Sequence, residues 1–413
     1  MYPRHAEFNI REVLADTPVV SIMGPRQVGK TTLAKYIAPE RHYVTLDDEN
    51  LLKTALNDGL GFIHSLPEFV IIDEVQRAPN LMLAIKKSVD ENRIPGRFLL
   101  TGSANIALLN LVQDSLAGRH EAIHLFPLTS HEIAKQPIQT SFVQGLIEKR
   151  IKPTLNAYPD TLAKLKDVVC RGGYPEPLSR NDKRAGRWYK VYAEDLAMRD
   201  ASTLQDIRQP DALYRLLRLC AARTASLLEV NSLANDAQIS VPTTKEYLQV
   251  LEKLFLIHLL PSWSSNLNKR LIKSPKIHVV DSGMICALNS LSPGQWLERA
   301  SLFGHVLESY VVQQIISQIN WIDDEIACFH FRDHKKKEVD IVLERGNDVW
   351  GIEIKRAATL SNSDLKGMRQ LMMSAAGRWR GGIVLYSGDH ILPTDMPEVL
   401  AVPYGVFWDG IAK

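Results

Sequence analysis

The stretch "SIMGPRQVGKTTLAKYIA" (residues 21–38) decides the fold class, because it places two glycines, a lysine and two threonines between an apolar run and a helix-like run. The overlapping run "PVVSIM" (residues 18–23) predicts a short buried strand, and "TTLAKYIA" predicts the start of a helix. In this context Gly24, Gly29, Lys30 and Thr31 match the pattern G-x-x-x-x-G-K-[ST]. Such a loop binds phosphates, since its backbone amides and the positive end of the helix dipole face the anion.

Two side chains of this loop have separate expected roles. The Lys30 ammonium reaches the β- and γ-phosphates, and the Thr31 hydroxyl ligates Mg²⁺. The residues assigned to the nucleotide are Gly24, Pro25, Arg26, Gln27, Val28, Gly29, Lys30, Thr31 and Thr32. The pattern on its own also arises by chance, so the interpretation needs a second element.

The run "FVIIDEV" (residues 69–75) supplies that second element, because an apolar run followed by Asp73 and Glu74 predicts a buried strand. Ligand crevices in such sheets open at the carboxyl ends of the strands. We expect Asp73 to hold Mg²⁺ through water and Glu74 to orient and deprotonate the attacking water. Taken alone, an acidic pair after a strand is also typical of a helix N-cap.

A third run, "RFLLTGSAN" (residues 97–105), ends in small polar residues. Thr101, Ser103 or Asn105 could sense the γ-phosphate, and a capped strand–helix turn is the alternative for each. The segments "HYVTLDDEN" and "AIHLFPL" predict two more strands. Residues 1–135 are therefore predicted to form an α/β domain with three layers and a parallel sheet, the P-loop NTPase fold.

Composition and length bound the remaining possibilities. A chain of 413 residues is too long for one ordinary core, and 45% hydrophobic with 23% charged residues is typical of a globular protein. The net charge of +2 means that any nucleic-acid surface must be local. Four scattered cysteines, no signal peptide at the amino terminus and no run long enough to span a membrane favour the cytoplasm.

Four segments carry a resemblance to a known family: "GPRQVGKTT", "FVIIDEVQRAPN", "FLLTGSAN" and "SLAGRHEAIHLFPLTSHEI". They resemble a bacterial and archaeal AAA-superfamily ATPase family whose members join this domain to a C-terminal half of unsettled function. The resemblance implies ATP as the nucleotide, Glu74 as the catalytic glutamate, and a strand inserted between the loop strand and the Asp73 strand. Arg119 lies where related ATPases often place an arginine finger, commonly acting on a neighbouring subunit, which would imply a homo-oligomer. A surface ion pair is the alternative for Arg119.

The segment from residue 136 to residue 205 has apolar residues at helical spacing, which predicts a helical lid. It is interrupted by "CRGGYPEPLSR", in which Gly173 and Pro175 resemble the G-x-P motif that some ATPases of this superfamily place against the bound base. A plain turn between helices is the alternative.

Residues 206–300 predict a winged helix. The helix "SLANDAQ", a short turn and a longer helix indicate a helix-turn-helix, and "NLNKRLIKSPKIHVVD" alternates basic and apolar residues like a hairpin wing. The predicted exposed residues of the second helix include Glu246 and Gln249, and the basic wing residues include Lys276. The predicted DNA contacts are Thr243, Thr244, Lys245, Lys269, Arg270 and Lys273. A structural winged helix without DNA is the alternative.

Residues 301–413 predict a small α/β domain that begins with a helix, and Glu308 of this helix could join the three site residues that follow. In "KKKEVDIVLERG" and "DVWGIEIKRA" the period of two brings Asp340, Glu353 and Lys355 to adjacent strand faces. The spacing resembles the PD-(D/E)xK nucleases, with Val339 in place of the proline, and implies a second metal site at Asp340 and Glu353 for phosphodiester cleavage. Charged residues on a solvated strand are the alternative.

Together these patterns predict a Mg²⁺-dependent ATPase that couples its nucleotide state to DNA binding, and to DNA cleavage if the C-terminal site is active. The alternative is an ATP-dependent switch that binds a protein partner and carries an inactive nuclease-like domain. A DNA-remodelling motor is a third hypothesis, against which the sequence offers no second set of motor motifs.

Overall fold

The computed structural model describes residues 1–103, 116–201, 207–322 and 325–411. The side chains of Asp200, Leu267 and Lys269 lie outside this described part, as does the predicted phosphate sensor Asn105. The predicted role of Lys269 in DNA binding therefore stays a prediction.

The amino-terminal sheet consists of five parallel strands. They are β1 (Val19–Met23), β2 (His42–Thr45), β3 (Val70–Asp73), β4 (Phe98–Gly102) and β5 (His120–His124). Their order is β2-β3-β4-β1-β5, so β4 lies between the strand that precedes the phosphate loop and the strand that ends at Asp73. This confirms the inserted strand. Because the strands are parallel, the phosphate loop after β1, Asp73 at the end of β3 and Ser103 after β4 all lie at the same edge of the sheet.

Helices cover both faces of this sheet. They are α1 (Ala6–Leu14), α2 (Lys30–Ile37), α3 (Glu49–Asn57), α4 (Gly59–Ser65) and α5 (Leu81–Glu91), with a 3₁₀ turn at Val75–Arg77. Side chains alternate along β1, so that Val20 and Ile22 enter one hydrophobic core while Val19 and Met23 enter another. The predicted three layers are therefore present.

A helical segment follows the first sheet, as the periodicity predicts. It contains α6 (Ser130–Ile133), a 3₁₀ turn at Ile138–Thr140, α7 (Phe142–Ile147), α8 (Thr161–Arg171), α9 (Pro175–Leu178) and α10 (Asp182–Asp195), and α10 continues into a π-helix at Leu196–Asp200. The buried aromatic rings of Tyr174, Tyr189 and Tyr192 pack these helices into the main core.

The next segment combines helices with a three-stranded antiparallel sheet of order β6-β8-β7. Its elements are α11 (Pro210–Ala222), β6 (Ser226–Leu227), α12 (Val230–Ala237), α13 (Val241–Lys253), β7 (Ile257–Leu260), α14 (Leu267–Ile272), β8 (Lys276–Val279) and α15 (Ser282–Leu288). The predicted pair of helices is present. Within the described residues, the predicted hairpin wing at residues 266–281 is not present, because α14 takes up part of that segment and β8 pairs with β7, which lies before it in the chain. Lys276 is a buried residue of β8, which corrects its assignment to an exposed wing.

The carboxyl-terminal segment has the predicted order of helix, strands, helix and strand. After a 3₁₀ turn at Pro293–Gln295 it contains α16 (Ala300–Ile319), β9 (Ile326–Arg332), β10 (Glu338–Arg345), β11 (Asp348–Ile354), α17 (Lys366–Ala375), β12 (Trp379–Tyr386), β13 (Leu392–Pro393), β14 (Val399–Pro403) and α18 (Val406–Asp409), with 3₁₀ turns at Asn362–Leu365 and Ala376–Arg378. The strand order is β13-β14-β12-β11-β10-β9. Strands β11, β12 and β14 are parallel, and β10 is antiparallel to both of its neighbours.

The two ends of the chain share one hydrophobic core. The Phe407 ring of α18 lies 5.1 Å from the Phe142 ring of α7 and 6.0 Å from the Tyr310 ring of α16, measured between centroids. The same core cluster includes Ile10 of α1. The carboxyl-terminal segment therefore packs in one core with the helical segment and the amino-terminal domain.

Candidate functional site

The phosphate loop has the backbone geometry that its glycines predict. Gly29 has a φ of 97°, which disfavours any residue with a Cβ, and a Cβ on Gly24 would lie 2.1 Å from the Leu125 carbonyl oxygen. Val28 is buried in the core, so its side chain anchors the loop. The loop is thus fixed between β1 and α2 by close packing.

Lys30 begins α2 and turns its ammonium into the loop. The Nζ donates hydrogen bonds to the carbonyl oxygens of Gly24 (2.9 Å) and Pro25 (2.7 Å). Burial lowers the pKa of Lys30 to about 8, and the Glu74 and Asp73 carboxylates act in the opposite direction. These two carboxylates therefore favour the charged form of Lys30 that phosphate binding requires.

Asp73 lies at the centre of a network of hydroxyl groups. Its Oδ1 accepts hydrogen bonds from Thr31 Oγ1 (2.9 Å) and from the Thr101 hydroxyl, and its Oδ2 accepts one from Tyr43 (2.7 Å). Burial and the Asp73 carboxylate raise the pKa of Tyr43 to about 12, so Tyr43 remains a donor. The adjacent Thr31 hydroxyl and Asp73 carboxylate are oxygen donors of the type that Mg²⁺ prefers, so these residues fit the expected ion. Sequence reasoning missed Tyr43.

Glu74 and Ser103 are brought together by a residue that the sequence did not single out. Glu74 follows β3 in a left-handed conformation, with a φ of 55°. The Gln76 amide donates to Glu74 Oε2 and to Ser103 Oγ, the second bond being 3.0 Å long. Backbone strain at a non-glycine residue is typical of functional positions.

A cavity of about 880 Å³ extends from the phosphate loop to the helical segment. Besides the loop, Glu74 and Ser103, its lining includes Asp47, Gln76, Arg77, Pro175, Glu176, Leu196 and Leu254. Leu254 follows α13, and Leu196 begins the π-helix. Sequence reasoning missed both leucines, since apolar residues at helical spacing indicate a buried face without saying what it faces.

The two residues of the predicted G-x-P motif have different surroundings. Pro175 lines the cavity, whereas Gly173 is not among its lining residues. The Gly173 N–H donates to Asp281 Oδ2 (2.7 Å), and a Cβ on Gly173 would lie 2.1 Å from the Leu128 carbonyl oxygen. These contacts match the alternative of a close-packed turn for Gly173 and leave Pro175 beside the nucleotide cavity.

Arg119 lies far from the phosphate loop of its own chain. It immediately precedes β5, and its backbone carbonyl accepts from the Val19 N–H at the start of β1 (3.1 Å). The phosphate loop follows the opposite end of β1. The Arg119 guanidinium pairs with Asp90, as the ion-pair alternative predicts. An action on ATP would therefore require the nucleotide of a neighbouring subunit.

The four predicted C-terminal residues lie in one cluster, but a lysine lies among them. Lys276 Nζ contacts Glu308 Oε1 (2.7 Å), Asp340 Oδ1 (3.5 Å) and the Glu338 carboxylate. Burial acts to lower the pKa of Lys276. The three carboxylates outweigh burial and raise this pKa above its usual range. Burial and the Asp340 charge raise the pKa of Glu308 to about 8.

The other two predicted residues pair with each other. Lys355 Nζ lies 2.7 Å from Glu353 Oε1, and Asp340 Oδ2 accepts from the Ile354 N–H (2.9 Å). Within the described ranges, no group of three or more histidine, cysteine, aspartate or glutamate side chains is placed to hold a metal ion. The predicted ion at Asp340 and Glu353 therefore does not fit this arrangement, because Lys276 and Lys355 already pair with the carboxylates.

Two predicted DNA contacts are corrected by their surroundings. Thr244 is buried and donates to the Ser240 carbonyl oxygen (2.9 Å). Arg270 forms a bidentate pair with Glu344, at 2.8 and 2.7 Å, so its guanidinium is used inside the protein.

Three other predicted contacts, which belong to the described residues, remain at or near the surface. Lys245 and Lys273 are exposed, and Lys273 Nζ donates to the Arg332 carbonyl oxygen (3.0 Å). The Thr243 side chain is half-buried, and its hydroxyl oxygen lies 2.7 Å from Ser240 Oγ.

Among the described helices, none combines the length and apolar character that a membrane crossing requires.

The parallel sheet, the glycine loop with Lys30 and Thr31, and the Asp73–Glu74 strand end define a P-loop ATPase domain. Residues 16–134 match the family model described as "AAA domain". The chain therefore contains an ATPase domain of the AAA type. Residues 162–295 and 303–405 match two models described as "Domain of unknown function (DUF8612)" and "Domain of unknown function (DUF4143)".

Similar whole chains occur in mycobacteria. "Uncharacterized protein Rv2008c" of Mycobacterium tuberculosis and "Uncharacterized protein Mb2031c" of Mycobacterium bovis are each 28% identical over 402 residues, covering 97% of this chain and 83% of theirs. Among solved structures, the Walker-type ATPase PABY2304 of Pyrococcus abyssi aligns with a TM-score of 0.43 and 17% identity, over 70% of this chain and 96% of its own. The RuvB Holliday junction branch migration motor of Thermotoga maritima aligns with a TM-score of 0.30 and 19% identity, over 62% and 89%.

Proposed function

We propose that this chain is a Mg²⁺-dependent ATPase in which the bound nucleotide controls the C-terminal half. Lys30 neutralises charge on the β- and γ-phosphates, and Glu74 orients and deprotonates the attacking water. Thr31 and Asp73 hold Mg²⁺, which neutralises phosphate charge when bound. Hydrogen bonds from the Thr101 and Tyr43 hydroxyls hold the Asp73 carboxylate in place beside Thr31.

The lining of the cavity supports a coupling between the bound nucleotide and the C-terminal half. The cavity that contains Lys30 is also lined by Pro175, Leu196 and Leu254, which come from three helical elements beyond the first sheet. Because Leu254 directly follows α13, a base or ribose that contacts Leu254 would bias the position of that helix. A ligand shifts an equilibrium only through contacts that differ between states, and these side chains can supply such contacts.

We expect ATP·Mg²⁺ to slow hydrogen exchange in residues 241–254 and 196–201 as well as in the phosphate loop. The measurement is hydrogen–deuterium exchange with mass spectrometry, on the full chain with and without nucleotide. A Lys30→Ala variant serves as the control, because it should show no protection in either region. Protection of the phosphate loop with unchanged exchange in residues 241–254 would contradict the coupling and leave nucleotide binding intact.

DNA binding is a second candidate function, supported by an exposed basic surface. The order α11, β6, α12, α13, β7, α14 and β8 is that of a winged helix with an extra helix between its last two strands, which supports the proposed domain at residues 206–300. Exposed Lys273 donates to Arg332, beside the turn that carries exposed Lys335, Lys336 and Lys337. With duplex DNA in the same exchange experiment, this candidate requires protection of the turn that disappears as salt is raised. Unchanged exchange there would remove it.

For the C-terminal segment we favour a binding role over cleavage. The helix–strand order supports the proposed nuclease-like domain at residues 301–413, whereas the pairing of Lys276 and Lys355 with its carboxylates supports the inactive form. The ATP-dependent switch is thus the version of the proposal that the geometry favours. The proposal also includes a homo-oligomer in which Arg119 acts on the nucleotide of a neighbouring subunit. It further includes a helical lid at residues 136–205 and a cytoplasmic location.

A further inference from the structure

The Lys276 side chain lies in an unusual setting for an ammonium group. It belongs to β8 of the middle sheet and is only 2% exposed. The carboxylates around it come from the carboxyl-terminal segment: Glu308 from α16, and Glu338 and Asp340 from β10. The contact therefore joins two sheets that are separate in the fold.

A cation stabilises the ionised form of a buried cluster of carboxylates. An unpaired charge that is removed from water costs several kcal/mol, so converging carboxylates are balanced by a bound metal or by a basic side chain. Here the ammonium of Lys276 lies within 3.5 Å of carboxylate oxygens of Glu308, Asp340 and Glu338. A divalent ion bound to the same oxygens would stand within a few ångströms of this ammonium, where two positive charges repel strongly.

The remaining oxygens of the cluster leave little for a metal. Asp340 Oδ2 accepts from the Ile354 N–H, and Glu353 Oε1 is paired with Lys355. Glu353 Oε2 is buried and has no hydrogen-bond partner. Glu338 Oε2 lies 3.7 Å from a guanidinium nitrogen of Arg332. A Mg²⁺ ion, which demands near-octahedral oxygen coordination, would have to displace these contacts.

We propose that Lys276 supplies the cation of this cluster in place of a divalent metal. The ammonium occupies the position that the ion would need, and the cluster is a closed ion-pair joint between the middle sheet and the carboxyl-terminal sheet. Removal of the lysine leaves carboxylate oxygens of Glu308, Glu338 and Asp340 around the position that its ammonium vacates. We expect this change to open a cation site that the described wild-type residues do not form. This inference is independent of the proposed ATP hydrolysis.

The test is Mn²⁺ binding to nucleotide-free protein, measured from the loss of the free-Mn²⁺ electron paramagnetic resonance signal. Wild type and Asp340→Asn should bind equally, because neither has a site at the cluster. Lys276→Met should bind one additional Mn²⁺ ion. Its dissociation constant should be at least about tenfold lower than the value measured for Mn²⁺ with wild type, a difference of about 1.4 kcal/mol in binding free energy. The double variant Lys276→Met/Asp340→Asn should lose that gain, and Lys273→Met, which changes an exposed lysine, should match wild type.

Two results would overturn the proposal. One is a Mn²⁺ site in wild type that Asp340→Asn removes, since the lysine would then not exclude the ion. The other is a folded Lys276→Met protein that gains no site. Where Lys276→Met does not fold, Lys276→Met/Glu308→Gln takes its place, because it removes one carboxylate together with the ammonium and leaves Glu338, Asp340 and Glu353. A gain of Mn²⁺ binding in this double variant then supports the proposal, and the absence of a gain overturns it.

Discussion

Glu74→Gln is expected to lower kcat for ATP hydrolysis by a factor of about 10²–10⁴ while leaving ATP affinity close to that of wild type. Glu74 directly follows β3 and is held by the Gln76 amide, which also contacts Ser103 at the end of the neighbouring strand. Glutamine has the same shape and can still accept from Gln76. It cannot take a proton from water, so the loss falls on the chemical step.

The measurement pairs steady-state phosphate release with equilibrium binding of a fluorescent ATP analogue. Glu68→Gln is the matched control, because Glu68 is an exposed glutamate of the same domain, and its variant should behave as wild type. A Glu74→Gln protein that hydrolyses ATP within about threefold of wild type would show that another group activates the water.

Arg4→Ala is expected to lower the free energy of unfolding by about 3–5 kcal/mol, because it leaves a buried carboxylate without its cation. The Arg4 guanidinium pairs with Glu132 of α6 at 3.1 Å, and both residues are buried. It also donates to the carbonyl oxygens of Val28 (2.7 Å) and Phe126 (2.6 Å). A single side chain thus ties the amino terminus, the phosphate loop and the segment after β5 together.

Chemical denaturation of the two single variants Arg4→Ala and Arg11→Ala tests this stabilisation. Arg11 pairs with Glu7 at 2.9 Å, but its side chain is 50% exposed, so this control should lose only about 0–1 kcal/mol. Equal losses for the two variants would contradict the role given to Arg4. Since Arg4 contacts Val28 directly, its variant should also bind ATP more weakly than the Arg11 variant.

The nucleotide site could be predicted from sequence because its residues form short local patterns. Lys30 and Thr31 belong to one loop, and Asp73 and Glu74 end one apolar run. The position of β4 between β1 and β3 was implied by resemblance alone, since an apolar run does not state which strand it pairs with. No sequence pattern indicated the role of Arg4, because its partner Glu132 lies 128 positions away in the chain.

The errors in the C-terminal half have the same physical origin. Basic residues alternating with apolar ones predicted an exposed wing, yet Lys276 pairs with Glu308 across 32 positions and Arg270 with Glu344 across 74. A sequence pattern gives the face on which a charge lies but not the opposite charge that packs against that face. Leu254 is a similar case, since helical periodicity indicated burial and could not indicate a nucleotide cavity.

Mg²⁺-dependent ATP hydrolysis by this chain is tested directly by phosphate release from ATP, measured on the purified full chain with Mg²⁺, with excess EDTA, and with Lys30→Ala. We predict release with Mg²⁺, loss of release when EDTA removes the metal, and no release above background from Lys30→Ala. Both losses have one cause, because the metal and the Lys30 ammonium together neutralise the phosphate charge. Hydrolysis that persists in Lys30→Ala, or a wild-type protein that releases no phosphate with Mg²⁺, would contradict the account.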